Sequence, residues 1–140
     1  MKILVAVDGS EFTKRMLAYW VTHDEWLGLA HDYTVLTVVQ PVPPRAAAVL
    51  DRAALQSYYA DEGESTFRPI RAFLDQKGLR ATFLSKTGSV AEVIARTAEA
   101  DGSDLILMGS HGHGGFGALV LGSVTTKVLA ACKTPVLVIR

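Results

Sequence analysis

The chain has 140 residues, 49% of them apolar and 20% charged, and its basic and acidic residues balance to a formal net charge of zero. That composition fits one domain with a single core, and it excludes a disordered chain and, for want of clustered Lys and Arg, a nucleic-acid binder. No apolar run approaches the roughly 18 residues of a membrane span, and the start lacks the apolar length and cleavage site of a signal peptide, so a reducing cytoplasmic location is the default expectation.

Lys2 to Val7 is a short β-branched, leucine-rich run closed by Asp8-Gly9-Ser10, which reads as a strand and a turn. Ser10 can cap a helix whose apolar positions Met16, Leu17, Trp20, Val21 and Leu27 recur at helical spacing. Tyr33 to Val39 is the second strand, ended by the prolines of Gln40-Pro41-Val42-Pro43-Pro44. Ala46 to Gly78 reads mostly helical, and Asp61-Glu62-Gly63-Glu64 is a candidate interruption that leaves two helices or a kink open beside one continuous helix. Arg80 to Lys86 is a weaker third strand. Ser89-Val90-Ala91-Glu92 has the form of a capping box and predicts a helix running to about Ala100. Asp104 to Met108 is a fourth strand, apolar on both faces; a glycine-rich loop, a helix from about Ser123 to Ala131 and a last strand from Val136 to Ile139 follow.

Alternating strands and helices with continuous apolar strands call for an α/β fold: a single-domain, open, parallel five-stranded sheet, helices on both faces, Rossmann-like with strand order 3-2-1-4-5. In such sheets ligands sit beyond the carboxyl ends of the strands where the winding reverses. If the first and fourth strands flank that reversal, Asp8 and the loop starting at Gly109 share one crevice.

The loop Gly109-Ser110-His111-Gly112-His113-Gly114-Gly115-Phe116-Gly117 is longer than the about 2–6 residues that a plain strand-to-helix connection needs. Its glycines can turn N–H groups toward one point, and the following helix adds its own. From Leu105 to Arg140 there is no Asp or Glu to repel an anion. Two phosphate motifs nearly fit. Gly112 to Gly117 matches G-x-G-x-x-G but follows the fourth strand with no downstream acid for a ribose. Gly117 to Ser123 has Ser123 where a Walker loop requires lysine.

The spacing that does fit is Gly109, two residues, Gly112, nine residues, then Gly122-Ser123. With the opening Ile3-Leu4-Val5-Ala6-Val7-Asp8-Gly9-Ser10, the Asp104 to Gly112 block, Gly122-Ser123-Val124 and the closing Thr134 to Ile139, the chain resembles the ATP-binding branch of the universal stress protein family over essentially its full length. The resemblance implies a site for ATP with Mg²⁺ carried by its phosphates. In it the glycines matching Gly109 and Gly112 approach ribose and phosphate, Gly122 and Ser123 hold phosphates, Asp8 lies beside the ribose or the metal, and the backbone near Val38 reads the adenine edge. Met108 and Val124 complete the implied nucleotide-binding set. On this reading a side chain at Gly122 would enter the phosphate space. His111 and His113 stand where relatives often carry a basic residue, and Val124 where some offer a second hydroxyl, so phosphate is held more weakly than usual.

Single residues are read more plainly. His111 and His113 have a chelating spacing but no third ligand nearby, so they are taken as exposed loop residues near a phosphate and no metal site is assigned to the protein itself. Ser10 is a cap rather than a nucleophile, Trp20 a core residue, Trp26 a helix-surface residue and Cys132 a small buried residue near a helix end, where as the lone cysteine it forms no internal disulfide. His23 and His31 carry no further signal. No catalytic residue is assigned. The apolar run Val136 to Ile139, with Pro135 before it, suits a sheet edge that another chain covers, and the resemblance implies a homodimer across it. Three functions compete: a nucleotide-dependent stress-response module, a slow ATPase or nucleotidyl-transfer enzyme, and a dimeric scaffold that binds no nucleotide.

Overall fold

The computed structural model of the protein describes residues 1–114 and 120–140. Five strands, β1 (Lys2–Ala6), β2 (Asp32–Val39), β3 (Thr82–Thr87), β4 (Leu105–Gly109) and β5 (Val136–Ile139), form one parallel sheet in the order β3-β2-β1-β4-β5. Between them run α1 (Glu11–Thr22), the short α2 (Asp24–Leu27) and α3 (Pro44–Ala47), α4 (Arg52–Gln76), α5 (Val90–Asp101) and α6 (Ser123–Ala131).

The two-residue period of the strands divides the core into two layers. Ile3, Val5, Val7, Tyr33, Val35 and Leu107 point to one face and pack against Met16, Leu17 and Trp20 of α1 and Phe67, Ile70 and Leu74 of α4. Their neighbours Leu4, Leu36, Ile106 and Met108 point to the other, against Ala91, Ile94 and Ala98 of α5 and Val128 of α6. Central strands buried on both sides explain why their sequences are apolar without alternation. Trp20 is fully buried and its indole N–H donates to the Leu27 carbonyl at 3.2 Å, whereas Trp26 is 38% exposed, as its place in the sequence suggests. Tyr33 lies against Trp20, and burial pushes its phenol up from the ordinary tyrosine range. Cys132 is half-buried at the end of α6.

One local ambiguity is resolved and one expectation corrected. The acidic stretch Asp61 to Glu64 does not break the helix: α4 is continuous over 25 residues, through Gly63 and Pro69. Gly63 is buried where α4 crosses the sheet, and a Cβ there would stand 2.9 Å from the Ser85 Cβ, so the glycine permits contact instead of ending the helix. Pro69 and Ser65, whose carbonyl it cannot serve, are both exposed residues. The capping box at Ser89 does not close either. Ser89 caps α5 with backbone only, and the Glu92 carboxylate is 3.6 Å from Arg96 one turn later. Ser10, by contrast, accepts from the Thr13 N–H at 3.4 Å and caps α1 as expected.

Candidate functional site

The winding reverses between β1 and β4, since the connections from β1 through α1 and α4 cover one face and those through α5 and α6 the other. At the carboxyl ends of these strands lies an open cleft of about 880 Å³. Its floor is Ala6, Val7 and Asp8 beside Leu36, Thr37 and Val38; Gly112 to Gly114 and Gly122 to Thr125 form one wall, and α4 contributes another.

Asp8 is fixed by the turn it closes. Its Oδ1 accepts from the Ser10 N–H and the Thr13 hydroxyl, each at 2.9 Å, so one carboxylate oxygen is committed to the start of α1. The other oxygen is turned toward Gly112, where a Cβ would come within 2.7 Å of it. Gly112 therefore lets the loop pass directly over a carboxylate. The Asp8 carbonyl accepts from His113 Nε2 at 2.7 Å, which must be the protonated ring nitrogen because a carbonyl can only accept.

The two ends of the glycine loop are tied together. The Ser110 carbonyl accepts from the Gly122 N–H at 2.7 Å and from the Thr125 hydroxyl at 3.2 Å, and Thr125 also donates to the Gly109 carbonyl at 3.1 Å. Ser110, itself 1% exposed, donates its N–H to Ile139 at the end of β5 at 2.8 Å. This clamp places the first turn of α6 at the cleft. Among the described residues no side chain caps that helix, and no acidic residue sits in its first turn, so the end of its dipole that favours anions opens onto the cleft.

Of the residues predicted for the site, Asp8, Val38, Gly112, Gly122, Ser123 and Val124 line this cleft together. Met108 and Gly109 lie beneath it, beside a small space of about 70 Å³. Met108 is buried in the layer under α5, and the room a Gly109 Cβ would need is taken by Phe12 of α1, at 2.8 Å. Gly122 is closely packed too. A Cβ there would meet the Ser110 carbonyl oxygen and the His111 Cα, both at 3.1 Å, so the glycine also serves the closure of the loop on itself. His111 is half-buried with its ring 4.9 Å from that of Phe12, and its Nδ1 is 2.9 Å from the Ser110 hydroxyl, so only His113 of the pair is an exposed loop residue. The loop residues 115–119 fall outside the described residues.

Sequence reasoning missed the α4 wall. Tyr58, Glu62 and Thr66 line the cleft at steps of four residues, one helical face. The stripe stands in the sequence, but a polar face on a long helix ordinarily faces water, and nothing local distinguishes the two.

The sequence profile of the universal stress protein family matches residues 1–140, the whole chain. The chain belongs to the universal stress protein family. A universal stress protein of Thermus aquaticus is 33% identical over 140 residues, covering 99% of this chain and 97% of its own. Universal stress protein MJ0577 of Methanocaldococcus jannaschii is 33% identical over 86 residues, 61% of this chain and 53% of that protein. Its solved structure superposes with a TM-score of 0.81 at 28% identity, covering 99% of this chain and 94% of that one. A universal stress protein from Archaeoglobus fulgidus, solved in complex with dAMP, shares the fold at a TM-score of 0.70 and 19% identity, over 100% of this chain and 98% of its own. Like these relatives the chain is a parallel α/β universal stress domain, and among its described residues no helix is long and apolar enough to cross a membrane.

Proposed function

We propose that the cleft binds an adenine nucleotide, ATP with Mg²⁺ on its phosphates, and that occupancy makes the protein a nucleotide-dependent regulatory module of the stress response, a cytoplasmic homodimer joined through β5. The observation that carries this reading is the uncapped start of α6, at Gly122, Ser123 and Val124, sharing one cleft with Asp8 and with Val38 at the end of β2. Helix N–H groups suit phosphate, the apolar floor of Ala6, Leu36 and Val38 suits a base, and a carboxylate suits ribose hydroxyls or a metal ion. The dAMP bound by the Archaeoglobus relative supports the same ligand class.

Mg²⁺ takes oxygen ligands and keeps several waters, so it needs few from the protein. The oxygen donors fit: the Asp8 carboxylate oxygen not used by Ser10 and Thr13, and Glu62 on the α4 wall. The ion would offset phosphate charge. Holding is favoured over transfer, because phosphoryl transfer depends on cationic charge around the γ-phosphate and the described lining offers no lysine or arginine.

The test is direct. Protein purified without added ligand is denatured and its supernatant examined for adenine nucleotide by mass spectrometry, and the melting temperature is measured with and without ATP and Mg²⁺. Released nucleotide or a rise in Tm is expected; neither appearing would overturn the proposal. ADP or AMP accumulating over hours from bound ATP would favour the enzyme instead.

A further inference from the structure

The charges around the cleft are unlike those of a site made for a free triphosphate. Two carboxylates line it, Asp8 from the floor and Glu62 from the α4 wall, and the basic side chains of the described lining are His111 and His113 alone. Every Lys and Arg among the described residues lies outside the lining, and the sequence at 115–119, Gly-Phe-Gly-Ala-Leu, adds no charge. Both histidines are engaged locally, His113 with the Asp8 carbonyl and His111 with Ser110 and Phe12. An anion here is met by backbone N–H groups and a helix dipole, which offset about half a charge, and it faces two carboxylates.

We infer that this cleft selects nucleotides by charge, with Glu62 as the specificity-determining residue: without a divalent cation it takes a nucleoside monophosphate in preference to a triphosphate, and Mg²⁺ removes that preference. The inference rests on the adenine-nucleotide reading above. ATP brings roughly two more negative charges than AMP past the same two carboxylates, and each added like-charge pair at a water-exposed site weakens binding by a factor of about two. The four added pairs compound to about sixteenfold, on the order of a factor of ten. Mg²⁺ bound to the phosphates cancels two of those charges and can accept the Asp8 and Glu62 oxygens as ligands, which turns repulsion into attraction. Glu62 is the adjustable member of the pair. It is exposed on the rim, whereas Asp8 also holds the start of α1.

Isothermal titration of AMP and of ATP, each in excess EDTA and in excess Mg²⁺, reads this out for the wild-type chain and for Glu62→Gln and Glu62→Lys. In EDTA, AMP is expected to bind about tenfold more tightly than ATP. Mg²⁺ should tighten ATP by at least about tenfold and AMP by less than about twofold. Glu62→Gln should tighten metal-free ATP about two- to fivefold with less effect on AMP, and Glu62→Lys should go further in the same direction. Circular dichroism should show the same helix content in all three, since both replacements are good helix formers at an exposed site. Metal-free ATP binding as tightly as AMP, or variants with unchanged ATP affinity, would overturn the charge selection while leaving nucleotide binding standing. If neither nucleotide binds under any condition, the adenine-nucleotide reading falls and the selection falls with it.

Discussion

The backbone N–H of Gly122 donates to the carbonyl of Ser110 at 2.7 Å, so the residue just before α6 is bonded to the residue just after β4 across the intervening loop. Ser110 is bonded in turn to Ile139 in β5. The two ends of the loop are thus joined and anchored on two strands, and the position of the helix terminus is set by the sheet.

That closure predicts what a side chain at position 122 would do. The Gly122 backbone has φ −73°, so an alanine would suffer no backbone strain, but its Cβ would press at 3.1 Å on the Ser110 oxygen and the His111 Cα. These are main-chain atoms that cannot rotate aside. Gly122→Ala should cost about 1–3 kcal/mol in urea unfolding. Gly122→Val should cost more and abolish the Tm rise with ATP and Mg²⁺. A Gly122→Val protein as stable as the wild type would show that the loop closes less tightly than this geometry requires.

Gly63 and Ser85 make a second prediction. Alanine at position 63 would put its Cβ 2.9 Å from the Ser85 Cβ, a contact that rotating the serine hydroxyl cannot relieve. The usual gain in helix propensity on replacing glycine, about 1 kcal/mol, is therefore reversed, and Gly63→Ala should destabilise by about 1–3 kcal/mol. Ser85→Gly in the same chain removes the obstructing atom and should recover most of the loss. Additive effects of the two changes, measured in a double-mutant cycle, would rule out the contact as the cause.

These glycines show what could be read from the sequence and what could not. The strand order and the two core layers were legible, because apolar runs such as Ile3 to Val7 and Leu105 to Met108 have few ways to be buried. The site loop was legible through glycine spacing, and Asp8 through its place at the end of β1. Gly63 left a break open because a glycine in a helical pattern looks alike whether it ends the helix or admits a strand. The capping box failed for a similar reason: Glu92 has two partners in reach, and the pattern does not say that Arg96 wins. The α4 stripe of Tyr58, Glu62 and Thr66 needed the crossing of α4 over the sheet to acquire a meaning.

On the far side of α4 the Glu64 carboxylate accepts from Arg71 at 2.7 and 3.4 Å, and the guanidinium also lies 4.7 Å from the centre of the Phe83 ring. The hydrogen bond from Arg71 holds the Glu64 carboxyl below its ordinary range, against a smaller opposing effect of desolvation. A lowered folded value means that the unfolded chain takes up this proton more readily. The stabilisation is then full above the ordinary glutamate range and is lost as pH falls through that range to the folded value. Glu64→Gln should lower Tm at neutral pH and approach the wild type as pH falls through and below the ordinary glutamate range. The effect is small because both side chains are more than a third exposed to water. A Tm difference that stays constant over that fall in pH would exclude the ion pair as its source.

The edge of the sheet gives the last prediction, which bears on the proposed dimer. Along β5 the carbonyls of Pro135 and Ile139 accept from Ile106 and Ser110, so odd-numbered residues direct their backbone groups toward β4. With the two-residue period, Val136 and Val138 direct theirs outward, where among the described residues β5 has no neighbouring strand. An apolar edge of this kind, half-buried along all four residues, invites pairing with another copy. Proline at position 138 would remove an outward N–H while sparing the bonds to β4, a substitution that edge strands tolerate. Wild-type protein should sediment at twice the 15.0 kDa of one chain, and Val138→Pro at one chain mass with its circular dichroism retained. A monomeric wild type would remove the dimer from the proposal. A dimeric Val138→Pro would favour a contact on another surface, because the substitution removes one of the two outward N–H donors, those of Val136 and Val138, that a ladder across this edge would use.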